Sequence, residues 1–416
     1  MKSCLLLFLA FAGTAGAVRE GQSAEPLRLE DAVSRSLATH PAIAAETAEL
    51  RAAQARAERE ALPTPYVVGG DLDNVLGSGA LGGLRSAETT LRLGRVIELG
   101  DKRSARQAVG RAEVARQSHL ADQARIDIAS RTTARFIEVV ADQHRLAFAT
   151  ERVDLARRTR REVAAWVSAA RNPETDLHAA DIALADAELE LEHAEHELGS
   201  ARVTLAASWG APIPDFEHVA GEINELPSPE SIQSLQERLP RTTAQRSSEL
   251  EAESILAHRR VAESLAKPDV NLSLGVRRLE ALDEQGLVMS VSVPLGNRQR
   301  SVLAIAEADA QLAAVEARRA AHRSEANQVL FEKYQELLHG RAEFESIRTR
   351  MLPKAQQALA FARRGFAIGR FSYAALAQAQ RTLFELRERS VDAAARYHTL
   401  LAEIERLTAI TPEPSP

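Results

Sequence analysis

The 416 residues are 45% hydrophobic and 26% charged, with a formal net charge of -6. The acidic balance excludes a surface built to grip nucleic acid, which is basic, and 4% aromatic residues are too few for sandwich or propeller cores. At about 100–200 residues per domain, the length allows two or three.

The chain opens with Lys2, an apolar stretch from Leu5 to Ala12, and then Ala15-Gly16-Ala17. One cation, a greasy core and a small-x-small site predict a cleaved export signal over residues 1–17 and a mature start at Val18. The stretch falls well short of the ~20 residues that a membrane helix needs. Cys4 precedes the greasy core and is the chain's one cysteine, so the mature chain is expected to carry neither a disulfide nor a cysteine-linked lipid. No later segment reaches about 18 uncharged apolar residues, so any membrane crossing must be made by strands.

Proline placement is informative. Pro65 is followed by no proline until Pro173, and Pro173 by none until Pro212; similar gaps separate Pro294, Pro353 and Pro412. A proline inside a helix costs about 3 kcal/mol, so these runs permit very long helices. The chain also resembles itself at a spacing of roughly 200 positions. Leu37-Ala38-Thr39-His40-Pro41 returns as Gln236-Glu237-Arg238-Leu239-Pro240, and Pro65 returns as Pro268. Ile97-Glu98-Leu99-Gly100-Asp101-Lys102-Arg103 returns as Val293-Pro294-Leu295-Gly296-Asn297-Arg298, and the loop at Asn172-Pro173 as that at Gly369-Arg370.

The expected organisation is a first repeat over 18–209, a linker or equatorial region over 210–228, a second repeat over 229–411 and a tail over 412–416. Each repeat reads helix, two strands, long helix, sharp turn, long helix. In the first these fall at 29–62, in a β-hairpin over 65–98, and at 100–170 and 174–209, with the turn near 171–175. In the second they fall at 229–265, in a β-hairpin over 268–295, and at 297–367 and 371–410, with the turn near 368–372. A 70-residue helix spans on the order of 100 Å. Pro353 should kink or break the helix that holds it.

The strands alternate. Ala87, Thr89, Leu91 and Leu93 oppose Glu88, Thr90, Arg92 and Gly94; Val270, Leu272, Leu274 and Val276 oppose Asn271, Ser273, Gly275 and Arg277. Leu287, Met289, Val291 and Val293 oppose Val288, Ser290 and Ser292, while the first strand is looser, with Asp71 and Asp73 in phase with Val67 and Gly69. This pattern fits a transmembrane barrel with an apolar outside and a polar inside. A small soluble sheet with one buried face shows the same alternation, and the strands taken alone favour that reading. Four strands cannot close a barrel, and open edges are not tolerated in lipid, so a barrel would need three copies and twelve strands. Aromatic girdles are nearly absent, Tyr66 being the one evident candidate.

The long helices carry heptads. Leu177, Leu184, Leu191, Leu198 and Leu205 are each followed three residues on by a small one: Ala180, Ala187, Ala194, Ala201 and Ser208. That is a coiled-coil seam. Ile182, Leu189, His196 and Val203 form a second stripe on another face, which predicts two partners for this helix. The second repeat has Leu376, Leu383, Ser390, Tyr397 and Ile404 with Ala379, Leu386, Ala393, Leu400 and Leu407. Helices with neighbours on two sides can close into a cylinder.

Chemistry-bearing constellations are weak. His193 and His196 stand three apart among Glu192, Glu195 and Glu197, but a solvated face explains them better than a metal site. Gly77-Ser78-Gly79-Ala80-Leu81-Gly82-Gly83 lies between strands and lacks the Lys-Ser/Thr of a phosphate loop, so it reads as a hairpin tip. No nucleophile–base pair stands at motif spacing. Neither an enzyme nor a cofactor is expected.

Three segments resemble the TolC family of outer-membrane efflux proteins. Ala38-Thr39-His40-Pro41 is close to the family's Ala-x-x-Asn-Pro, with His in place of Asn. Gly369-Arg370-Phe371-Ser372-Tyr373-Ala374-Ala375-Leu376-Ala377-Gln378-Ala379-Gln380 is similar to its Gly-x-x-Ser-x-x-x-Leu-x-x-Ala-Gln turn and helix start. Glu88-Thr89-Thr90-Leu91 and Val96-Ile97-Glu98-Leu99-Gly100-Asp101-Lys102-Arg103 resemble the cobalt–zinc–cadmium (CzcC-like) branch, whose Glu-Leu-Gly-Gly-Lys-Arg has a second glycine where Asp101 stands.

The resemblance covers essentially the whole mature chain. It implies a mainly α homotrimer with a small β part: a 12-stranded β-barrel in the outer-membrane lipid, continuing into a periplasmic α-helical coiled-coil barrel. It also implies passive export, substrate arriving from an inner-membrane RND-type pump through a periplasmic adaptor (membrane fusion protein). The helical tips would dock that adaptor, here Arg171, Asn172, Pro173, Glu174 and Thr175, and Ile368, Gly369, Arg370, Phe371 and Ser372. The aspartate rings by which some members close the tunnel fall on Ala375 and Gln378, so that ring is missing; Asp176 and Asp181 are a possible substitute aperture, although acids also favour a helix start anyway. Alternatives are drug or type I protein export, or a soluble periplasmic coiled-coil scaffold or adaptor.

Overall fold

The computed structural model describes residues 25–410; the expected signal over 1–17 and the tail over 412–416 lie outside the described residues. The chain begins with a two-residue strand β1 (Leu27–Arg28), followed by helices α1 (Leu29–Thr39) and α2 (Pro41–Ala61). The expected single helix over 29–62 is therefore two. His40 is extended because the residue before a proline is driven out of the helical region. Its Nδ1 accepts the Ala42 N–H at 3.1 Å, and Pro41 starts the new helix without a lost donor.

Strands β2 (Tyr66–Asp73) and β3 (Glu88–Ile97) lead into α3 (Lys102–Ser168), whose 67 residues span about 100 Å. A sharp turn returns the chain along α4 (Glu174–Ala206). The 210–228 region is more than a join. It holds the short strand β4 (Val219–Ala220), which pairs in parallel with β1, and it buries Phe216, Val219 and Ile223. Gln143 of α3 both donates to and accepts from the Val219 backbone, at 3.1 and 2.9 Å. Two-residue strands leave no alternation to read in a sequence.

The second repeat holds α5 (Ile232–Arg238), a 3₁₀ turn at Leu239–Arg241 and α6 (Thr243–Ser264). The expected helix over 229–265 is thus broken too, with Pro240 in the tight turn and Thr242 extended. Strands β5 (Val270–Leu279) and β6 (Glu284–Ser292) precede α7 (Asn297–Ser346). A π-turn over Ile347–Met351 joins α7 to α8 (Leu352–Ala367), and α9 (Tyr373–Leu407) closes the chain. Pro353 lacks an N–H, and the wider turn just before it accommodates the ring without ending the helix.

The four long strands form one antiparallel sheet in the order β2-β3-β5-β6, the two hairpins joined through β3 and β5. Below it, α3 packs on α2 and α6, then on α4 and α9; α7 packs on α6 and then on α9, and α8 on α9. Helices lie side by side rather than around a common axis. Buried side chains gather in a belt around Phe136, Val139, Leu205 and Val219, in a neighbouring group around Leu330, Leu337 and Tyr397, and at the far tips.

Candidate functional site: the sheet, its junction and the helical tips

The strand register sorts the side chains into two faces. Val68 pairs with Leu93, Leu93 with Leu274 and Leu274 with Met289. In the same phase Leu91 pairs with Val276 and Val276 with Leu287. These residues are exposed in the single chain, Val68 by 78% and Leu287 by 81%. The opposite face is polar: Arg92 donates to Asp71 at 2.6 Å, and Arg277 donates to Glu88 and to Thr90 Oγ1, both at 2.9 Å. Gly275 lets the hairpins meet, since a Cβ there would lie 2.4 Å from the Leu91 carbonyl oxygen. Among the described residues, strands β2 and β6 have neighbours on one side only.

Where sheet becomes tunnel, the Glu98-to-Arg103 motif acts as a latch. Lys102 is buried and donates to Asp269 at 2.5 Å. Arg106 forms a bidentate pair with Glu98, and Arg103 Nε donates to the Ala61 carbonyl at 2.6 Å. Asp101 sits in the left-handed region at φ 58, which explains the family's glycine there; aspartate is among the few other residues that tolerate it.

Along the tunnel, the predicted seams are packed. Ala180, Ala187, Ala194 and Leu205 of α4 are buried, as are Leu376, Leu383, Ser390, Tyr397 and Ile404 of α9. The second stripe of α4 is left uncovered among the described residues: Ile182 is 71% exposed and Leu189 66%. His193 and His196 are also exposed, each beside a glutamate four residues away. Among the described residues no group of three His, Cys, Asp or Glu side chains could hold a metal, and no helix is long and apolar enough to cross a membrane.

Both tips are built alike. Arg171 N donates to the Trp166 carbonyl and Arg370 N to the Gly365 carbonyl, at 2.9 and 2.8 Å, closing the helix ends around the left-handed residues Ala170 and Gly369. Asn172-Pro173 therefore corresponds to Phe371-Ser372 in the second repeat, two residues from the correspondence read in the sequence. Ala169 and Ala170, unmarked there, belong to the first turn, whereas Glu174 and Thr175 already lie in α4. Phe371 packs on Gly365, where an added Cβ would lie 2.2 Å from its ring. Ser372 caps α9 through the Ala375 N–H, while Ile368 and Arg370 are exposed.

Trp166 stacks on Phe366 at 4.8 Å, and Phe366 meets Tyr373 edge-on at 6.4 Å, so one aromatic cluster ties the tips together. Burial raises the Tyr373 phenol above its ordinary value. Asp176 accepts from Asn172 at 2.7 Å and Asp181 pairs with Arg160 at 2.8 Å, so both aperture candidates are engaged within their own chain.

A sheet greasy on one face and wet on the other, open at both edges and continued by a wall of long helices, defines a class. It is a subunit of a membrane channel whose pore is completed by further copies of itself. No protein-family profile matches the chain. The cobalt-zinc-cadmium resistance protein CzcC of Cupriavidus metallidurans is 32% identical over 323 residues, covering 77% of this chain and 76% of that one. The nickel and cobalt resistance protein CnrC of the same organism is 28% identical over 313 residues, covering 73% and 72%. The crystal structure of CusC, solved in connection with transmembrane channel formation, matches with a TM-score of 0.77 at 14% identity over 95% of this chain and 96% of that one. The chain belongs to the TolC family of outer-membrane efflux proteins, in its CzcC-like branch. The four-stranded sheet is accordingly this chain's part of the channel's β portion, and the soluble-scaffold alternative falls away.

Proposed function

We propose that the chain is the outer-membrane conduit of a tripartite efflux system through which divalent heavy-metal cations leave the cell. The observation that carries the cargo class is the likeness to CzcC over three quarters of both chains. A conduit needs weak, dispersed contacts that let an ion enter and leave. The polar sheet face offers these, with the carboxylates of Asp71 and Glu88 shared with Arg92 and Arg277.

In this reading residues 1–17 direct export and are removed, and the two repeats meet across 210–228. The tips dock a periplasmic adaptor that links the channel to an RND-type pump. Tip one offers Arg171, Asn172 and Pro173 with Glu174 and Thr175 behind; tip two offers Ile368, Gly369, Arg370, Phe371 and Ser372. In this reading Asp176 and Asp181, held by Asn172 and Arg160 of their own hairpin, are the substitute aperture.

Deleting the gene tests the cargo class. Sensitivity to zinc, cobalt or cadmium supports the proposal; sensitivity to organic compounds alone would place the protein in drug efflux. Substituting Gly369 and Phe371 together should abolish resistance while leaving trimers intact, and unchanged resistance would remove the second tip from docking.

A further inference from the structure

The lipid-facing side of the sheet carries an arginine at each end, and the two are treated differently. Arg278, at the end away from the helices, donates to Glu280 and Asp283 at 2.8 and 2.7 Å, so its charge is met within its own loop. Arg95, at the helix end, has no carboxylate partner among the described residues. It donates to the Thr64 carbonyl at 3.1 Å and to the Tyr66 hydroxyl at 3.3 Å, with its guanidinium 4.8 Å from the Tyr66 ring centre. By register Arg95 lies between Tyr66 and Leu272, in phase with the greasy face. A cation facing lipid is costly unless it reaches the interface and finds an anion there.

The surroundings supply the rest of a site. Arg95 opens on a cleft of about 990 Å³ between the sheet and the start of α3. Leu93, Leu272 and Leu274 form its apolar wall, and Arg103 borders it with only a backbone carbonyl as partner among the described residues. The other cations nearby are committed, Lys102 to Asp269 and Arg106 to Glu98; Asp101 and Glu98 also line the cleft. Two guanidinium groups above an aliphatic wall, flanked by an exposed tyrosine, match one kind of occupant: a lipid phosphate with its acyl chain. Guanidinium binds phosphate through paired N–H donors.

We propose that this cleft binds a phospholipid of the periplasmic leaflet, its phosphate between Arg95 and Arg103 and an acyl chain along Leu93, Leu272 and Leu274. The site fixes the depth at which the barrel sits and ties the sheet–tunnel junction to the membrane. It rests on the reading of the sheet as part of a membrane barrel.

The test uses the full-length trimer in detergent, titrated separately with phosphatidylglycerol, with diacylglycerol of the same chains and with inorganic phosphate, read by native mass spectrometry and thermal shift. Phosphatidylglycerol should bind and raise the melting temperature, diacylglycerol and inorganic phosphate should each bind at least tenfold more weakly, and Arg95→Gln with Arg103→Gln should weaken the lipid at least tenfold. Arg278→Gln should leave it unchanged. Diacylglycerol binding as well as phosphatidylglycerol would overturn the phosphate contact, and inorganic phosphate doing so would make this an anion site rather than a lipid site. An unaltered affinity in the double variant would overturn the assignment to these arginines. If that variant does not assemble, Arg95→Lys with Arg103→Lys replaces it: the charge remains but the fork is lost, and an undiminished affinity would again contradict the proposal. A trimer that inserts into lipid without headgroup preference defeats this inference alone; one that never inserts defeats the barrel reading as well.

Discussion

Single residues at the turns and the junction show most directly what the family pattern is for. His40 caps α2 with a neutral ring, and burial, then the positive field of Arg131 and Arg135, lowers its pKa. A group held neutral in this way contributes stability that is full above about 6.5 and is lost as pH falls through its depressed folded value. His40→Asn keeps an acceptor at the cap without the proton; the melting temperature of the trimer should then fall less between pH 7 and pH 5 than in the parent, measured with each protein as its own reference. At the latch, Lys102→Met leaves the Asp269 carboxylate without its partner. Because Asp269 is partly exposed, the expected loss is about 2 kcal/mol rather than the full cost of an orphaned buried charge. Asp101→Gly relieves a left-handed residue and should be neutral or stabilising by up to about 1 kcal/mol, whereas Asp101→Val should destabilise. Denaturant titration of the detergent-solubilised trimer reads all three.

At the level of elements, alternation and heptads made the architecture legible. Strands with strict period two, such as Leu272, Leu274 and Val276, declared their face, and the α9 seam from Leu376 to Ile404 is buried at every step. What the sequence hid were features set by backbone rather than side-chain pattern. These are the extended His40, the tight turn at Pro240, the parallel pairing of β1 with β4, and the π-turn before Pro353. The tip register was hidden for the same reason, since the left-handed position is held by Gly369 in one repeat and by Ala170 in the other. Two predictions belong here. Gly275→Val drives a side chain into the Leu91 carbonyl and should abolish outer-membrane trimers, as seen by unheated gel electrophoresis. Leu189→Glu places charge on the α4 stripe that is exposed among the described residues; the isolated subunit should keep its helical circular dichroism while trimers are lost.

For the molecule as a whole, the central relation is between an incomplete sheet and a complete pore. One protomer's sheet ends at β2 and β6, whose outer edges are unpaired among the described residues, and lipid offers no water to satisfy them. The same logic governs the tunnel, where α4 presents Ile182 and Leu189, uncovered among the described residues, to a neighbouring copy in this account. Assembly and membrane insertion are therefore one event in this account, and export depends on both. Planar-bilayer recording on the purified full-length protein measures this most directly. Stepwise conductance from a detergent-requiring species with the mass of three chains is the predicted result; a single chain that stays dissolved without detergent and never conducts would contradict it.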